Sequence, residues 1–141
     1  MPNYVTSDFG ESVQNLVDGA VGWVEEVKRE ASLEVVRRLY DRTPKDTTNA
    51  SKAWLLSVGP APSHIVFDGT AIRRNPVTEA FRELIRHPEG DVHITNDERY
   101  IHALEYGHSK QAPNGFLRIT IAEWPAIVAA TSAKASARII K

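Results

Sequence analysis

The chain contains no cysteine. That excludes a disulfide framework and a thiolate zinc site, and it fits a reducing cytoplasm. It also lacks an excess of charge of either sign: 17 Lys and Arg stand against 18 Asp and Glu. A near-neutral chain is poorly suited to wrapping nucleic acid over much of its surface. No apolar run approaches the roughly 20 residues that a membrane-spanning helix needs. Met1 to Phe9 lacks the basic-then-apolar pattern of a signal peptide. No internal repeat or low-complexity tract breaks the sequence. There is no Gly-x-Ser-x-Gly elbow, no phosphate-cradling glycine loop, no dinucleotide fingerprint and no His-Glu-x-x-His. What remains is an ordinary globular composition over 141 residues. That length suits one domain, 1–141, with a core that needs no covalent staples.

The most informative stretch runs from Asn96 to Trp124. Tyr100, Ile101 and Leu104 fall on one face of a short helix, with Asn96 or Asp97 as its cap. Gly107 stops that helix, because glycine adopts the left-handed conformation cheaply. His108 to Gly115 is polar and contains Pro113, so it is loop. An apolar run beginning at Phe116 follows at once. A loop of about eight residues is thus clamped between two buried elements, and a held loop is a natural carrier of function.

The same residues carry a resemblance. Tyr100, Leu104-Glu105-Tyr106-Gly107, Ser109-Lys110-Gln111-Ala112-Pro113 and Gly115, followed by an apolar run with Glu123 and Trp124, resemble the neck, or tail-completion, proteins of long-tailed double-stranded DNA bacteriophages. Upstream, Thr43-Pro44-Lys45-Asp46-Thr47 with Trp54 after it is similar to a second motif of that family. Thr48 stands where the family usually has glycine, and Asn49 where it has a basic residue. The resemblance implies a structural virion protein of the head–tail junction, a minor tail protein without enzymatic activity or cofactor. It would be a ring subunit, found in the host cytoplasm before assembly and in the neck or tail top afterwards. Its partners would be copies of itself and the neighbouring head-closure, tail-terminator, tube or portal proteins, with no membrane contact. Tyr106, Gly107, Ser109, Lys110, Gln111, Ala112 and Pro113 would then form the interface loop. A tail terminator or a head-closure protein is the rival within the same junction.

Elsewhere the periodicity is plain. Phe9, Val13, Leu16, Val17, Ala20, Val24, Val27, Ala31, Val35 and Leu39 predict one helix from Asp8 to about Arg42. Asp8 and Glu11 are placed to form a capping box, and Thr43-Pro44 ends the helix. That length exceeds the common three turns, so part of the helix either overhangs into solvent or packs on a neighbouring subunit. Trp23 lies off the main stripe and is the candidate partner contact. Glu25, Glu26, Lys28, Arg29, Glu30, Arg37, Arg38 and Asp41 read as a solvated face. Lys45 to Lys52 reads as a polar turn and Ala53 to Val58 as a strand. His64 to Phe67 is a further apolar run, closed by a hairpin-prone Asp68-Gly69. Asn75-Pro76 caps a helix carrying Val77, Ala80, Phe81, Leu84 and Ile85. Asp91 to Thr95 alternates as a strand. Leu117, Ile121, Trp124, Val128, Thr131, Ala135 and Ile139 fit one helix kinked by Pro125 near Ile121, with a strand through Thr120 as the alternative. The expected class is α+β: a long N-terminal helix and a small antiparallel sheet, with further helices on one face.

Candidate chemistry is thin. Glu98, His102, Glu105 and His108 have spacings that a metal could use, which leaves a small metal-dependent or acid–base enzyme as the rival class. They read more simply as solvent-facing helix residues. Arg73-Arg74 and Arg37-Arg38 read as surface charge. Lys110 and Arg118 are candidates to face DNA passing through a lumen, without sequence readout. Trp54 and Trp124 read as core.

Overall fold

The computed structural model describes residues 4–45, 49–60, 75–96, 98, 101–107, 112 and 114–140, with side chains except at 4–9, 49 and 138–140. The order is α1 (Tyr4–Arg42), α2 (Asn49–Lys52), β1 (Trp54–Val58), α3 (Pro76–Arg86), β2 (Val92–Asn96), α4 (Ile101–Glu105), α5 (Leu117–Ala122) and α6 (Trp124–Ile140). The α+β expectation holds: the chain is mostly helical, with one two-stranded antiparallel sheet. The His64–Phe67 run and Arg73-Arg74 lie outside the described residues. No described helix is long and apolar enough to cross a membrane.

Among the described side chains of α1, only those of its C-terminal half are packed. Val27, Ala31, Leu33, Val36 and Leu39 are buried. From residue 10 to residue 24 every side chain is exposed except the partly buried Trp23. The expected capping box is not used, because the helix already starts at Tyr4 and Asp8 lies inside it. The other end follows the sequence. Pro44 bars continuation, and Thr43 turns away with its N–H on the Leu39 carbonyl at 3.0 Å. Lys45 closes the helix by donating to the carbonyls of Tyr40, Asp41 and Thr43. A cation at a helix C-terminus also meets the negative end of its dipole.

The sheet pairs Trp54 with Asn96, Leu56 with Ile94 and Val58 with Val92. These inward residues meet α1 and α3 in one cluster of Leu33, Val36, Leu56, Ala80 and Leu84. A second cluster joins Leu39, Trp54, Ala112 and Phe116. Ile94 packs against both clusters, and Trp54 is buried in the second, in the core as the sequence predicts. Its ring stands edge-on to Phe116 at 6.2 Å. Its Nε1 donates to the buried Thr43 hydroxyl at 2.8 Å, and that hydroxyl donates in turn to the Leu39 carbonyl.

Several elements depart from the sequence reading. The polar stretch before Trp54 holds one helical turn, α2, because Ala50 and Ser51 are buried against α1. Asn96 ends β2 and is not a helix cap. Its side chain donates to the Ala50 carbonyl and accepts from the Glu98 N–H, a local turn that leaves α4 to begin at Ile101. Asn75 does cap α3, accepting from the N–H of Val77 and Thr78. The C-terminal segment is helical throughout, which rules out the strand alternative. Its break falls at Glu123, two residues beyond the expected Ile121 and two before Pro125, which has no N–H to offer. Trp124 is 43% exposed and is not core. The buried positions are instead Phe116, Thr120, Ile127 and Ala135, so the Leu117–Ile121–Trp124 stripe faces outward.

Thr43→Val is expected to strand the buried Trp54 N–H at nearly constant volume. Urea or thermal unfolding should show a loss of about 1–3 kcal/mol.

Candidate functional site

The site is the loop between α4 and α5, and one carboxylate closes it. Glu105 is the last residue of α4 and only 6% exposed. It was expected to face solvent, and that expectation is wrong. Its Oε2 accepts from the backbone N–H of Phe116 at 2.9 Å and of Leu117 at 2.7 Å. Its Oε1 accepts from the Arg118 N–H at 3.0 Å and from Arg118 Nε at 2.9 Å. The reason lies at the start of α5. Phe116 occupies the cap position and offers no side-chain acceptor. The first N–H groups of a helix need partners and attract negative charge. Glu105 supplies both from 11 to 13 residues away.

Two glycines make the closure possible. Gly107 has φ 90° and ends α4 as the sequence predicts. Gly115 has φ 85°, and a Cβ there would stand 2.6 Å from the Glu105 carbonyl oxygen and 2.7 Å from its Oε1. Only glycine lets the returning chain pass so close to the carboxylate. Between them, Ala112 turns inward and is buried with Leu39, Trp54 and Phe116. Of the predicted interface residues, Tyr106 is exposed and carries the Arg118 guanidinium 4.6 Å from its ring centre. Gly107 is exposed. Ala112 is buried in the core. Ser109, Lys110, Gln111 and Pro113 lie outside the described residues, as does His108. Trp23 is partly buried and lies far along α1 from this loop.

Burial pushes the Glu105 carboxyl up. The N–H groups of Phe116, Arg118 and Leu117 and the Arg118 guanidinium outweigh it and hold the group below the usual carboxylate range. A carboxylate engaged in this way has little left for a metal. Among the described residues no group of three His, Asp or Glu is placed to hold an ion. Arg118, the DNA-facing candidate, is spent partly on Glu105 and partly on Tyr106.

A second ionic knot joins the end of α1 to the junction of α5 and α6. Glu123, in the break between α5 and α6, accepts from Arg42 and from Arg38, and Arg42 also donates to the Thr120 hydroxyl at 3.1 Å. Arg42 holds the Glu123 carboxyl below its ordinary range. Arg38 was expected to be merely solvated; it bridges Glu34 and Glu123 instead. No sequence signal marks that pairing, since its partners are 85 residues apart. The Glu105 closure did leave one: a helix start without a capping residue, preceded by an acid.

Glu105→Gln should cost about 1–3 kcal/mol near neutral pH, because an amide presents one acceptor and an NH2 group to three N–H donors. A carboxyl lowered on folding stabilises fully above the unfolded value of 4.5 and loses that contribution as pH falls through the folded value. Urea midpoints followed down from about pH 7 should therefore fall less steeply below 4.5 in the variant than in the wild type. Gly115→Ala should destabilise by more than about 1 kcal/mol in the same assay, since strain and close approach add.

No protein-family model, curated protein or solved structure matches this chain.

Proposed function

We propose that the protein is a structural subunit of the head–tail junction of a long-tailed bacteriophage, a neck or tail-completion protein that works as part of a ring and catalyses nothing. The reading rests on the motif resemblance. The observation that supports it best is how the motif residues are used. Glu105, Gly107, Ala112 and Gly115 fix the two ends of the segment between α4 and α5, while Tyr106 stands exposed at its edge. Fixed ends lower the entropy that such a segment loses when a partner holds it. The second motif is equally structural: Thr43 and Lys45 close α1 and Thr43 anchors Trp54. The exposed half of α1 suits a protein whose cover comes from other subunits.

The competing enzyme reading used Glu105 as a metal ligand or acid–base group. That carboxylate is committed to the backbone of α5. Within the junction, tail terminator and head-closure roles differ by which particles accumulate without the protein. A null mutant should yield filled heads, with tails unjoined or joined without infectivity. A block in DNA packaging would move the role to the portal or motor and overturn the reading. Density for this chain in images of the intact neck should close into a ring around the axis.

The loop itself gives a sharper assay. Lys110→Ala combined with Gln111→Ala should change unfolding free energy by no more than about 0.5 kcal/mol. The same double variant should fail to complement a null phage. Full complementation would remove the loop from the contact surface.

A further inference from the structure

The first half of α1 overhangs the body, and its residues are poor ones for a bare helix. α6 packs against the other half. Glu123, just before α6, meets Arg38 and Arg42. From there α6 runs back beside α1, and its Lys134 and Ala135 share a crevice with Glu26 and Glu30. At equal helical rise its 17 residues reach back to roughly residues 21–25 of α1. The cover therefore gives out near Trp23, which is partly buried, and the side chains of residues 10–22 are all exposed.

Tertiary contacts commonly override helix propensity, but nothing buries these side chains, so propensity decides. Gly10, Gly19 and Gly22 have no neighbour within 4 Å of where a Cβ would sit, so close packing does not call for glycine there. In a helix each carries roughly a fivefold smaller weight than alanine. Val13, Val17 and Val21 lose side-chain freedom in a helix, and Ser12, Asn15 and Asp18 bond readily to backbone in other conformations. The first basic residue of the chain is Lys28, so no ion pair one turn apart can brace residues 10–22. Gln14 Nε2 donates to Asp18 Oδ1 at 2.9 Å, an exposed contact of a kind that helps a helix only slightly. Helix at residues 10–18 must therefore propagate from Trp23 through Gly22 and Gly19, at a penalty of about 25-fold for the two. The other route is to start afresh, at a nucleation weight of about 10⁻³.

We infer that the overhang is a two-state element. In the free chain the stable part of α1 begins near Trp23 and residues 10–22 are mostly coil. The full-length helix, continuous with the packed half, is a second state that this chain alone does not hold. The two states differ in surface. Val13, Leu16, Val17, Val21 and Val24 are exposed and line up as one apolar face only at helical spacing. The coil scatters them. A free chain therefore carries no standing apolar stripe along its overhang, and the stripe comes into being with the helix. Large standing patches of that sort invite unwanted association. The device works in the same way whether or not the chain belongs to a phage neck.

Backbone carbon chemical shifts and amide exchange of the full chain test this, at a concentration where sedimentation shows a monomer. Residues 10–18 should give shifts near coil values and exchange within about tenfold of unstructured rates, while residues 27–39 exchange at least about a thousandfold more slowly. Gly19→Ala with Gly22→Ala restores about 25-fold in helix weight, so it should raise the helical fraction of residues 10–18 severalfold. The unfolding midpoint of the body should not move with it. Gly22→Pro bars helix on its N-terminal side but suits the first turn of a helix that begins at Trp23. It should leave the midpoint and the shifts of residues 27–39 unchanged. Helical shifts and strong protection at residues 10–18 in the monomeric wild type overturn the inference. So does a double alanine variant that leaves the shifts of residues 10–18 where they were. A lower midpoint with Gly22→Pro makes the overhang part of the folded unit and overturns it too.

Discussion

A buried carboxylate at the end of a five-residue helix determines the C-terminal half of this chain. Glu105 would be costly in that place without partners, since desolvation penalises its charge. Three backbone N–H groups and one guanidinium repay the cost. In return α5 gets a start that its own sequence does not provide. Because the bonds converge on Phe116 to Arg118, they also set the rotation of α5. Phe116 and Thr120 go inward, and Leu117 and Ile121 go outward. The outward stripe of α5 follows from that choice.

The opposite anchor is the C-terminal end of α1. Thr43, only 1% exposed, joins the last turn of the helix to Trp54 through one hydroxyl that donates and accepts. Within the last two turns of the helix, Arg38 and Arg42 reach Glu123, where α5 gives way to α6. Two ties, one hydroxyl and one ionic knot, therefore register the sheet and the C-terminal helices against the same short length of α1. The core between them is small. The structure relies on these polar contacts to choose one arrangement among the several that apolar burial alone would allow.

Sequence reasoning read the elements well where a local cause acts. Pro44 ended α1, Asn75-Pro76 opened α3, Gly107 closed α4, and both strands lie within one residue of their expected bounds. It failed where the cause is distant. Nothing local says that Glu105 turns inward, that Glu123 belongs to Arg42, or that Trp124 faces out. A stripe at helical spacing identifies a helix but not which way it is turned, and here contacts 11 and 85 residues apart decide that. Asp8 misled for a related reason: a good capping residue stops nothing when the preceding residues can continue the helix. The candidate loop was legible as a loop with fixed ends. The carboxylate that fixes them was not.

The overhang of α1 is also a lever. Among the described residues it is packed at one end only, and it spans about 30 Å at helical rise. A tilt of roughly 10° where the helix leaves the body would move its tip by about 5 Å, at that length. A small change of angle where the helix leaves the body therefore becomes a sideways displacement of several ångströms at its tip.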